Sequence, residues 1–347
     1  MSRRTLSLLL AGVLAILLTA GASVARVPYV ALGPGPMYDT LGEQEGTPVI
    51  SIKGRRTYPT DGKLDLTTVG VRSDLTLAQA LRGYFERDLA VVPRDVVYPP
   101  DQTREQVDEA NAEAMRDSQS GAVVAAARTL GLPVARVFVE SVPAGSPSTG
   151  LLEKGDRVVK VDGKAVRDLT DVLDAVRARR PGQRIAVTVE RGGAQRTVDV
   201  VAGTAKNADG RTVTALGVGT RQESVKVPFD VTIGLQDVGG PSAGLMFTLG
   251  ILDKLGPASL TGGKFIAGTG EIRSDASVAP IGGITQKLIA AERNGAVAFL
   301  VPADNCAEAV QRHPAGLPLI EVHDVDEALT GLEALRDSAP LSTCPGS

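Results

Sequence analysis

An uncharged apolar run near the amino terminus constrains this chain more than any other feature. Residues 5–25 contain no charged side chain, are rich in Leu, Ala and Val, and follow Arg3 and Arg4. The run is long enough to cross the hydrocarbon core of a bilayer as a helix, and its basic end favours the cytoplasmic side. Residues 1–26 therefore predict a cytoplasmic tip and a single-pass membrane anchor, with everything after Arg26 on the extracytoplasmic side.

A cleaved signal peptide is the alternative interpretation of the same segment. The small residues Ala20, Gly21 and Ala22 could form its cleavage site. Because the apolar run exceeds the usual signal-peptide core of about 7–15 residues, we expect a retained anchor. A buried core helix is not favoured, since polar residues do not recur in the run at helical spacing.

Length and charge limit the functions that the rest of the chain can have. At 347 residues it exceeds the usual size of one hydrophobic core, which predicts two or three domains. Its net charge is -3 and it has no long Lys/Arg run, whereas nucleic acid binding needs a concentrated basic face. The phosphate-binding loop of an ATPase, GxxxxGK followed by Ser or Thr, is absent from the sequence. We therefore expect neither nucleic acid nor nucleotide as a partner.

The two cysteines, Cys306 and Cys344, are too few for a disulfide framework and wrongly spaced for a metal site. If the chain lies outside the cytoplasm, they could bridge and tie the carboxy-terminal tail to the last domain. We expect no metal and no cofactor.

Residues 27–205 divide into two patterns. Short β-type runs and then helical spacing predict an extracytoplasmic β/α region over residues 27–120. In residues 121–205, a strand-like run at 137–139 leads to the sequence AGSP at 144–147 and to GLLEKGDRVVKVDG at 150–163. This second pattern resembles a PDZ domain of the bacterial protease-associated kind. Such domains capture extended peptides at a sheet edge beside a helix, so the resemblance implies a reader of substrates or partners; a purely structural module is the alternative.

The last part of the chain, residues 206–340, starts with β-type runs and then alternates between helix and strand. Helical segments are predicted at residues 284–294, 304–312 and 326–335, with strands at 296–301 and 317–322. These patterns together predict an α+β multidomain fold: an N-terminal transmembrane helix, a β-rich and helical linker region, a PDZ domain and an α/β domain.

The sequence GGPSAG at residues 239–244 contains a candidate nucleophile, Ser242. Pro241 suits the first position of a helix because it lacks the N–H that would be unsatisfied there. Ser242 would then lie at a helix start, where free N–H groups and the positive end of the helix dipole can stabilise an oxyanion. Taken alone, Ser242 could equally be a helix-capping serine.

Lys287 is the candidate base, because the chain has only two histidines. A lysine amine can accept a proton at neutral pH only when burial disfavours its charged form. On a helix, the neighbours of Lys287 at three and four residues are small or apolar: Gly283, Ile284, Ala290 and Ala291. The alternative is an ordinary lysine whose stem lies over apolar surface and whose amine is in water.

Four motifs resemble the Lon-type Ser-Lys peptidases in order and spacing: GPSAG at 240–244, GTGEI at 268–272, PIGGITQK at 280–287 and AAERNG at 290–295. The resemblance implies that Ser242 is the nucleophile, Lys287 its base and Thr269 a hydroxyl that orients the lysine amine. It also implies that the backbone N–H groups of Gly240 and Ser242 bind the oxyanion. The order of anchor, PDZ domain and Lon-like domain resembles the ATP-independent branch of this family.

The resemblance implies an ATP-independent, membrane-anchored serine endopeptidase. Its substrates would be flexible or unfolded proteins, with the PDZ domain recruiting them, and Lon-like domains suggest a homo-oligomeric ring. Two departures stand out. Gly239 stands where many Lon domains carry a carboxylate, with Asp237 the nearest acid, and residues 273–277 lack the glycine usual in that turn.

Two other functions compete with this interpretation. Gly240, Ser242 and Gly244 satisfy the GxSxG pattern of α/β-hydrolase esterases, and Asp304 with His313 or His323 follows in the required order. That alternative explains neither the Thr269 nor the Lys287 segment. A non-catalytic PDZ scaffold with a degenerate protease fold would be expected to lack Ser242 or Lys287, and both are present.

Overall fold

A computed structural model describes residues 3–207, 210–235, 238–312 and 316–347. The chain forms two compact units. The first combines residues up to Val123 with residues from Val231 onward, and the second consists of Val124–Asp230. Each unit contains its own six-stranded sheet.

Helix α1 (Arg3–Val24) covers the segment in which the sequence predicts a membrane-spanning anchor. Among the helices of the described residues, none is both long enough and apolar enough to cross a bilayer. The predicted transmembrane helix is therefore not supported.

The amino-terminal part of the first unit continues with strands and two helices. In chain order they are β1 (Tyr29–Asp39), β2 (Glu43–Gln44), β3 (Thr47–Pro48), β4 (Ile50–Lys53), β5 (Lys63–Arg72), α2 (Leu77–Phe85), β6 (Ala90–Pro93) and α3 (Arg104–Thr129). A capping box starts α2: the Thr76 hydroxyl accepts from the N–H of Gln79, and the Gln79 side chain accepts from the N–H of Thr76.

The second unit contains the end of α3, a six-stranded antiparallel sheet, a separate two-stranded sheet and a further helix. Its elements are β7 (Ala135–Ser141), β8 (Arg157–Val161), β9 (Lys164–Ala165), α4 (Leu169–Arg177), β10 (Arg184–Arg191), β11 (Ala194–Val201), β12 (Gly203–Lys206), β13 (Thr212–Ala215) and β14 (Gly219–Ser224). The strand order is β11-β10-β8-β7-β14, so β14 is an edge strand. Alternate residues of β10, such as Ile185, Val187 and Val189, are fully buried in its core, as expected for a sheet with one covered face.

The carboxy-terminal part of the chain completes the first unit. Its elements are β15 (Asp230–Ile233), α5 (Gly244–Leu255), β16 (Phe265–Gly268), β17 (Glu271–Ile272), β18 (Val278–Ala279), α6 (Ile284–Arg293), β19 (Ala298–Pro302), α7 (Cys306–Ala309), β20 (Leu319–Val322) and α8 (Val325–Arg336). The helix predicted at residues 304–312 is instead the short α7 between two 3-10 turns. Here the side chain of Asn305 hydrogen-bonds to the backbone of Ile281, a tertiary contact that periodicity cannot reveal.

One sheet joins the two ends of the first unit, in the order β20-β19-β16-β5-β1-β6. Strand β16 pairs in parallel with both β5 and β19, so the carboxyl ends of these strands meet at one edge. Helix α5 is apolar on all sides and almost wholly buried. Gly250 of α5 permits close packing, because a Cβ there would lie 2.8 Å from the side chains of Ile50 and Thr40.

The sheet corrects the predicted domain boundaries. The sequence separates a β/α region at residues 27–120 from an α/β domain at 206–340, yet Leu66 of β5 pairs directly with Gly268 of β16. The boundaries of the second unit, residues 124 and 230, also differ from the predicted 121 and 205. Periodicity detects elements along the chain and cannot detect pairing between strands so far apart in sequence.

Cys306 and Cys344 form a disulfide, with their Cα atoms 5.2 Å apart. Both lie in a buried cluster with residues such as Phe299 and Leu319. The bridge ties the carboxy-terminal tail to the core of the first unit, which is the pairing that the sequence leaves open.

Candidate active site

Ser242 follows β15 in the chain and lies two residues before the start of α5. The helix begins at Gly244, after Ala243 as its N-cap, so Pro241 and Ser242 precede it. The prediction that Pro241 occupies the first helical position is therefore wrong. The N–H of Leu245 donates to the carbonyl of Gly270 at 3.0 Å, which fixes the first turn against the segment that carries Thr269.

Lys287 lies in the first turn of α6. The N-cap of this helix is Gly283, whose φ of +71° is a backbone conformation that favours glycine. A Cβ at Gly283 would also lie 2.6 Å from Cγ2 of Val69. Glycine at this position therefore lets α6 start close against strand β5, and this brings Lys287 into the interior.

The three residues that the resemblance assigns to catalysis lie in direct contact. The Nζ of Lys287 is 2.7 Å from the Oγ of Ser242 and 2.8 Å from the Oγ1 of Thr269. The Thr269 hydroxyl donates to the backbone carbonyl of Ser242 at 2.9 Å, which leaves its oxygen to accept from the lysine. The amine is thus held between two hydroxyl oxygens, and the orientation of Thr269 is fixed by the nucleophile loop itself.

Burial sets the protonation of Lys287. The residue is 2% exposed, and desolvation lowers its pKa from 10.5 to about 7. Burial disfavours the charged ammonium because it removes the water that would solvate that form. A substantial fraction of Lys287 is therefore a neutral amine near pH 7, able to accept the proton of a hydroxyl within hydrogen-bond reach.

The backbone N–H groups that are available to bind an oxyanion are not the two that the sequence predicts. The N–H of Gly240 donates to the carbonyl of Asn111 at 2.8 Å, so it is already occupied. Within the described part of the chain, no hydrogen bond uses the N–H of Ser242 or that of Ala243. These two consecutive groups, rather than Gly240 and Ser242, are available to a substrate oxygen. A role for the N–H of Ala243 could not be predicted from the sequence, because Asn111, which occupies the N–H of Gly240, lies on a helix far away in the chain.

Helix α3 supports the nucleophile loop, a role that its sequence does not reveal. Besides the contact of Asn111 with Gly240, the hydroxyl of Ser118 donates to the carbonyl of Pro241 at 3.0 Å. Met115 is buried and forms part of the wall beside Ser242. The sequence of α3 predicted a helix from its spacing, but it contains no motif from which these contacts could be predicted.

Ser242 and Lys287 open into a cleft of about 610 Å³ in the first unit. One wall comes from strand β5 and another from the segment before α6, with residues Thr67, Thr68, Val69, Pro280, Ile281 and Gly282. Strand β16 pairs with β5 only at Lys63–Leu66, so the wall residues of β5 lie beyond that pairing. The cleft can accept an extended chain that passes the Ser242 hydroxyl.

His323, one of the two histidines proposed for an esterase site, is not part of this arrangement. The Nδ1 of His323 lies 2.8 Å from the Oε2 of Glu327, and that hydrogen bond raises the pKa of the exposed His323. Asp304 is exposed, and His313 and Asp237 lie outside the described residues. Among the described residues, no group of three His, Cys, Asp or Glu side chains is placed to hold a metal ion.

The second unit contains a groove of about 750 Å³ between helix α4 and the segment that leads into β14. Its wall includes the α4 residues Leu169, Val172, Leu173 and Val176. Strand β14, which starts at Gly219, lies outside the range that the sequence predicts for the PDZ domain, residues 121–205. The sequence alone could not name these groove residues, because the strand comes from beyond the expected end of the domain.

Comparison with known proteins finds similarity to two domain families. Residues 107–201 match the family model of the PDZ domain, and residues 214–333 match that of the Lon protease (S16) C-terminal proteolytic domain. The predicted resemblance to these two domain families is confirmed.

Similar curated proteins share only part of the chain. The Lon protease of Azospirillum brasilense is 37% identical over 120 residues, which cover 33% of this chain and 15% of that protein. The Lon protease of Rickettsia bellii is 30% identical over 192 residues, covering 52% of this chain and 23% of that protein. The chain thus matches less than a quarter of the length of either relative. A PDZ domain of an SdrC-like protein from Listeria monocytogenes is 21% identical, with a TM-score of 0.22, and covers 24% of this chain and 85% of that one.

Proposed function

We propose that the chain is an ATP-independent serine endopeptidase in which Ser242 is the nucleophile and Lys287 the general base. One observation supports the proposal above all: a buried lysine amine whose pKa is about 7 lies 2.7 Å from the hydroxyl oxygen of Ser242. A base that is partly neutral at working pH and within hydrogen-bond reach meets both requirements for activating a serine.

Acylation begins when the neutral Nζ of Lys287 accepts the Ser242 proton and the Oγ attacks the carbonyl carbon of the scissile bond. The carbonyl oxygen gains the electron pair, and the N–H groups of Ser242 and Ala243 donate to it. The Lys287 ammonium then gives its proton to the leaving nitrogen as the C–N bond breaks. The products are a free amino terminus and an ester on Ser242.

Deacylation uses the same groups in reverse. The Lys287 amine accepts a proton from a water molecule that attacks the ester carbonyl, and the proton then returns to the Oγ of Ser242 as the C–O bond breaks. Thr269 holds the amine between two oxygens throughout, which keeps its lone pair directed at the nucleophile.

Flexible or unfolded proteins are the substrate class that this account favours. The cleft wall at residues 67–69 of β5 suits a peptide in extended conformation, the form in which sheet edges bind peptides. The groove between α4 and β14 in the PDZ domain would recruit the same chains. Because the sequence carries no ATPase loop, unfolding of a stable substrate would have to be done by another protein. The homo-oligomeric ring stays a prediction.

We place this activity outside the cytoplasm. The disulfide between Cys306 and Cys344 supports the location, since such bonds persist in oxidising compartments. Trapping of free thiols in intact cells, followed by mass spectrometry, would test it: the two cysteines should escape alkylation until the protein is reduced.

Cleavage of fluorescently labelled casein without ATP tests the proposed function. The full chain would be assayed as wild type, Ser242→Ala, Lys287→Met and Lys254→Met. Lys254 is a matched control, because burial lowers its pKa as well, while its Nζ hydrogen-bonds to the carbonyl of Leu41 away from the cleft. We expect the Ser242 and Lys287 variants to lose at least about a thousandfold in kcat/KM, and the Lys254 variant to retain activity.

Two results would contradict the proposal. Activity that survives Lys287→Met but is lost in a His313→Ala, His323→Ala double variant would favour the esterase-like assignment. Binding of casein without cleavage by the wild type would favour a non-catalytic scaffold.

A further inference from the structure

Helix α2 carries an unusual concentration of exposed apolar side chains. Tyr84 is 78% exposed and Phe85 is 80% exposed, and Leu77 and Leu81 of the same helix are also exposed. The chain contains only five Tyr, six Phe and no Trp, yet these two rings stand side by side, with their centroids 5.5 Å apart. We call Leu77, Leu81, Tyr84 and Phe85 the α2 ridge.

The opposite side of α2 explains why the ridge points outward. Gly83 faces the sheet, where a Cβ would lie 2.9 Å from Cγ2 of Val91. The close approach at Gly83 seats the helix on strands β1 and β6 and leaves the aromatic end of α2 projecting away from them. The sheet beneath α2 therefore does not cover the ridge.

The ridge continues from the apolar amino-terminal helix. The N–H of Leu77 donates to the carbonyl of Ala25 at 2.8 Å, and the N–H of Val27 donates to that of Leu75 at 3.0 Å. Helix α1 likewise exposes most of its large apolar side chains, including Leu10, Ile16 and Leu18. Two adjoining helices therefore present apolar surface, and α2 begins where the apolar run ends.

The charged residues beside the ridge leave an excess of basic side chains. Helix α2 contains no acidic residue. The three acids that flank it, Asp74, Glu86 and Asp88, are each paired with an arginine: Arg104, Arg82 and Arg293. The exposed Arg26 and Arg87 are in none of these pairs. Aromatic rings beside basic side chains are the composition of membrane–water interfaces.

We propose that the α2 ridge binds the interface of an anionic phospholipid bilayer, with Tyr84 and Phe85 at the level of the headgroups. The apolar rings would enter the boundary between headgroups and acyl chains, while the neighbouring arginines meet the lipid phosphates. The ridge would thereby hold the first unit against the membrane surface. This inference does not depend on the proposed peptidase activity.

Because the chain has no tryptophan, a single introduced Trp reports on the ridge alone. The full chain would be prepared as Phe85→Trp and, as a matched control, as Val297→Trp, an apolar residue that is 46% exposed on the same unit. Each would be mixed with vesicles of phosphatidylcholine and phosphatidylglycerol that contain nitroxide-labelled lipid. Helix α1 is common to both variants, so the difference between them isolates the ridge.

We expect the Trp at residue 85 to shift its emission to shorter wavelength and to be quenched roughly threefold more than the Trp at residue 297. Arg87→Gln in the Phe85→Trp background should weaken partitioning onto anionic vesicles about fivefold and leave binding to neutral vesicles unchanged. A Trp at residue 85 that stays as accessible to water as the control on vesicle-bound protein would overturn the proposal. A shift that depends on protein concentration, without vesicles, would instead assign the ridge to a contact between two copies of the chain.

Discussion

At the scale of single residues, the site depends on how far burial lowers the pKa of Lys287. A charged amine placed at 2% exposure would lose most of its hydration, and the structure supplies hydroxyl oxygens rather than a carboxylate as its neighbours. Hydroxyl groups orient the amine without stabilising its charge as a carboxylate would. That choice of neighbours keeps the pKa of Lys287 at about 7, whereas an acid in contact would raise it.

The pH dependence of activity follows directly from this shift. The base works only as the neutral amine, so kcat/KM should rise as the pH increases through about 7 and then level off. Initial rates of peptide cleavage between pH 5 and 9 would measure it. The Lys254→Met control should show the same profile, while a rise centred near the pKa of an ordinary lysine would mean that Lys287 is solvated in solution.

Ser118 offers a second prediction at this scale. Its hydroxyl holds the carbonyl of Pro241, one residue before the nucleophile, without touching the substrate cleft. Ser118→Ala should lower kcat about fivefold with little change in KM, because the loss of one hydrogen bond loosens the nucleophile loop. Ser120→Ala, an exposed serine on the same helix, is the matched control. An equal effect of both substitutions would refute a positioning role for Ser118.

At the scale of elements, the start of α6 decides where the lysine lies. Gly283 combines a φ of +71° with a Cβ position only 2.6 Å from Val69. Gly283→Ala should therefore destabilise the protein by about 1–3 kcal/mol and displace Lys287 from Ser242. At Gly282 a Cβ would meet nothing within 4 Å, so Gly282→Ala should change the free energy of unfolding by less than about 0.5 kcal/mol. Urea unfolding of both variants tests this, and equal stabilities would contradict it.

Strand β5 contributes a second pH-sensitive group, distinct from the catalytic lysine. Burial and, next, the charge of Asp39 raise the pKa of Asp65 from 3.8 to about 7. Its Oδ1 makes no hydrogen bond with any described residue, which leaves the ionised form uncompensated. The folded protein binds more protons than the unfolded chain between about pH 4 and 7, so this group makes stability fall as the pH rises through that window.

Asp65→Asn should remove that pH dependence. Relative to the wild type, the variant should gain on the order of 1–3 kcal/mol in the free energy of unfolding at pH 8, and less at pH 5. Asp304→Asn, which changes an exposed carboxylate, serves as the control and should show no such difference between the two pH values. A variant equally less stable than the wild type at both pH values would show that Asp65 is ionised and compensated in the folded state.

At the scale of the whole molecule, the sequence predicted features that depend on local patterns and missed contacts between residues far apart in the chain. Turn glycines and apolar spacing, which are local properties of the sequence, indicated Ser242, Lys287 and the helices beside them. Thr269 was indicated by the family resemblance alone. The local patterns did not indicate that β5 pairs with β16 or that Asn111 occupies the N–H of Gly240, since both contacts join residues far apart in the chain. Strand β14 was missed for the same reason. It pairs with β7, although the sequence predicted that this domain ends at residue 205.

The most direct test of the Ser-Lys assignment is covalent trapping of Ser242, followed by mass spectrometry of the intact chain and of its peptides. A peptidyl fluorophosphonate would be added at pH 8 to the wild type, Lys287→Met and Lys254→Met. The account predicts rapid modification of Ser242 in the wild type and the Lys254 variant, and modification at least about a hundredfold slower in the Lys287 variant. Modification of Ser242 in Lys287→Met at the wild-type rate would contradict the account, because the serine would then be activated without its lysine.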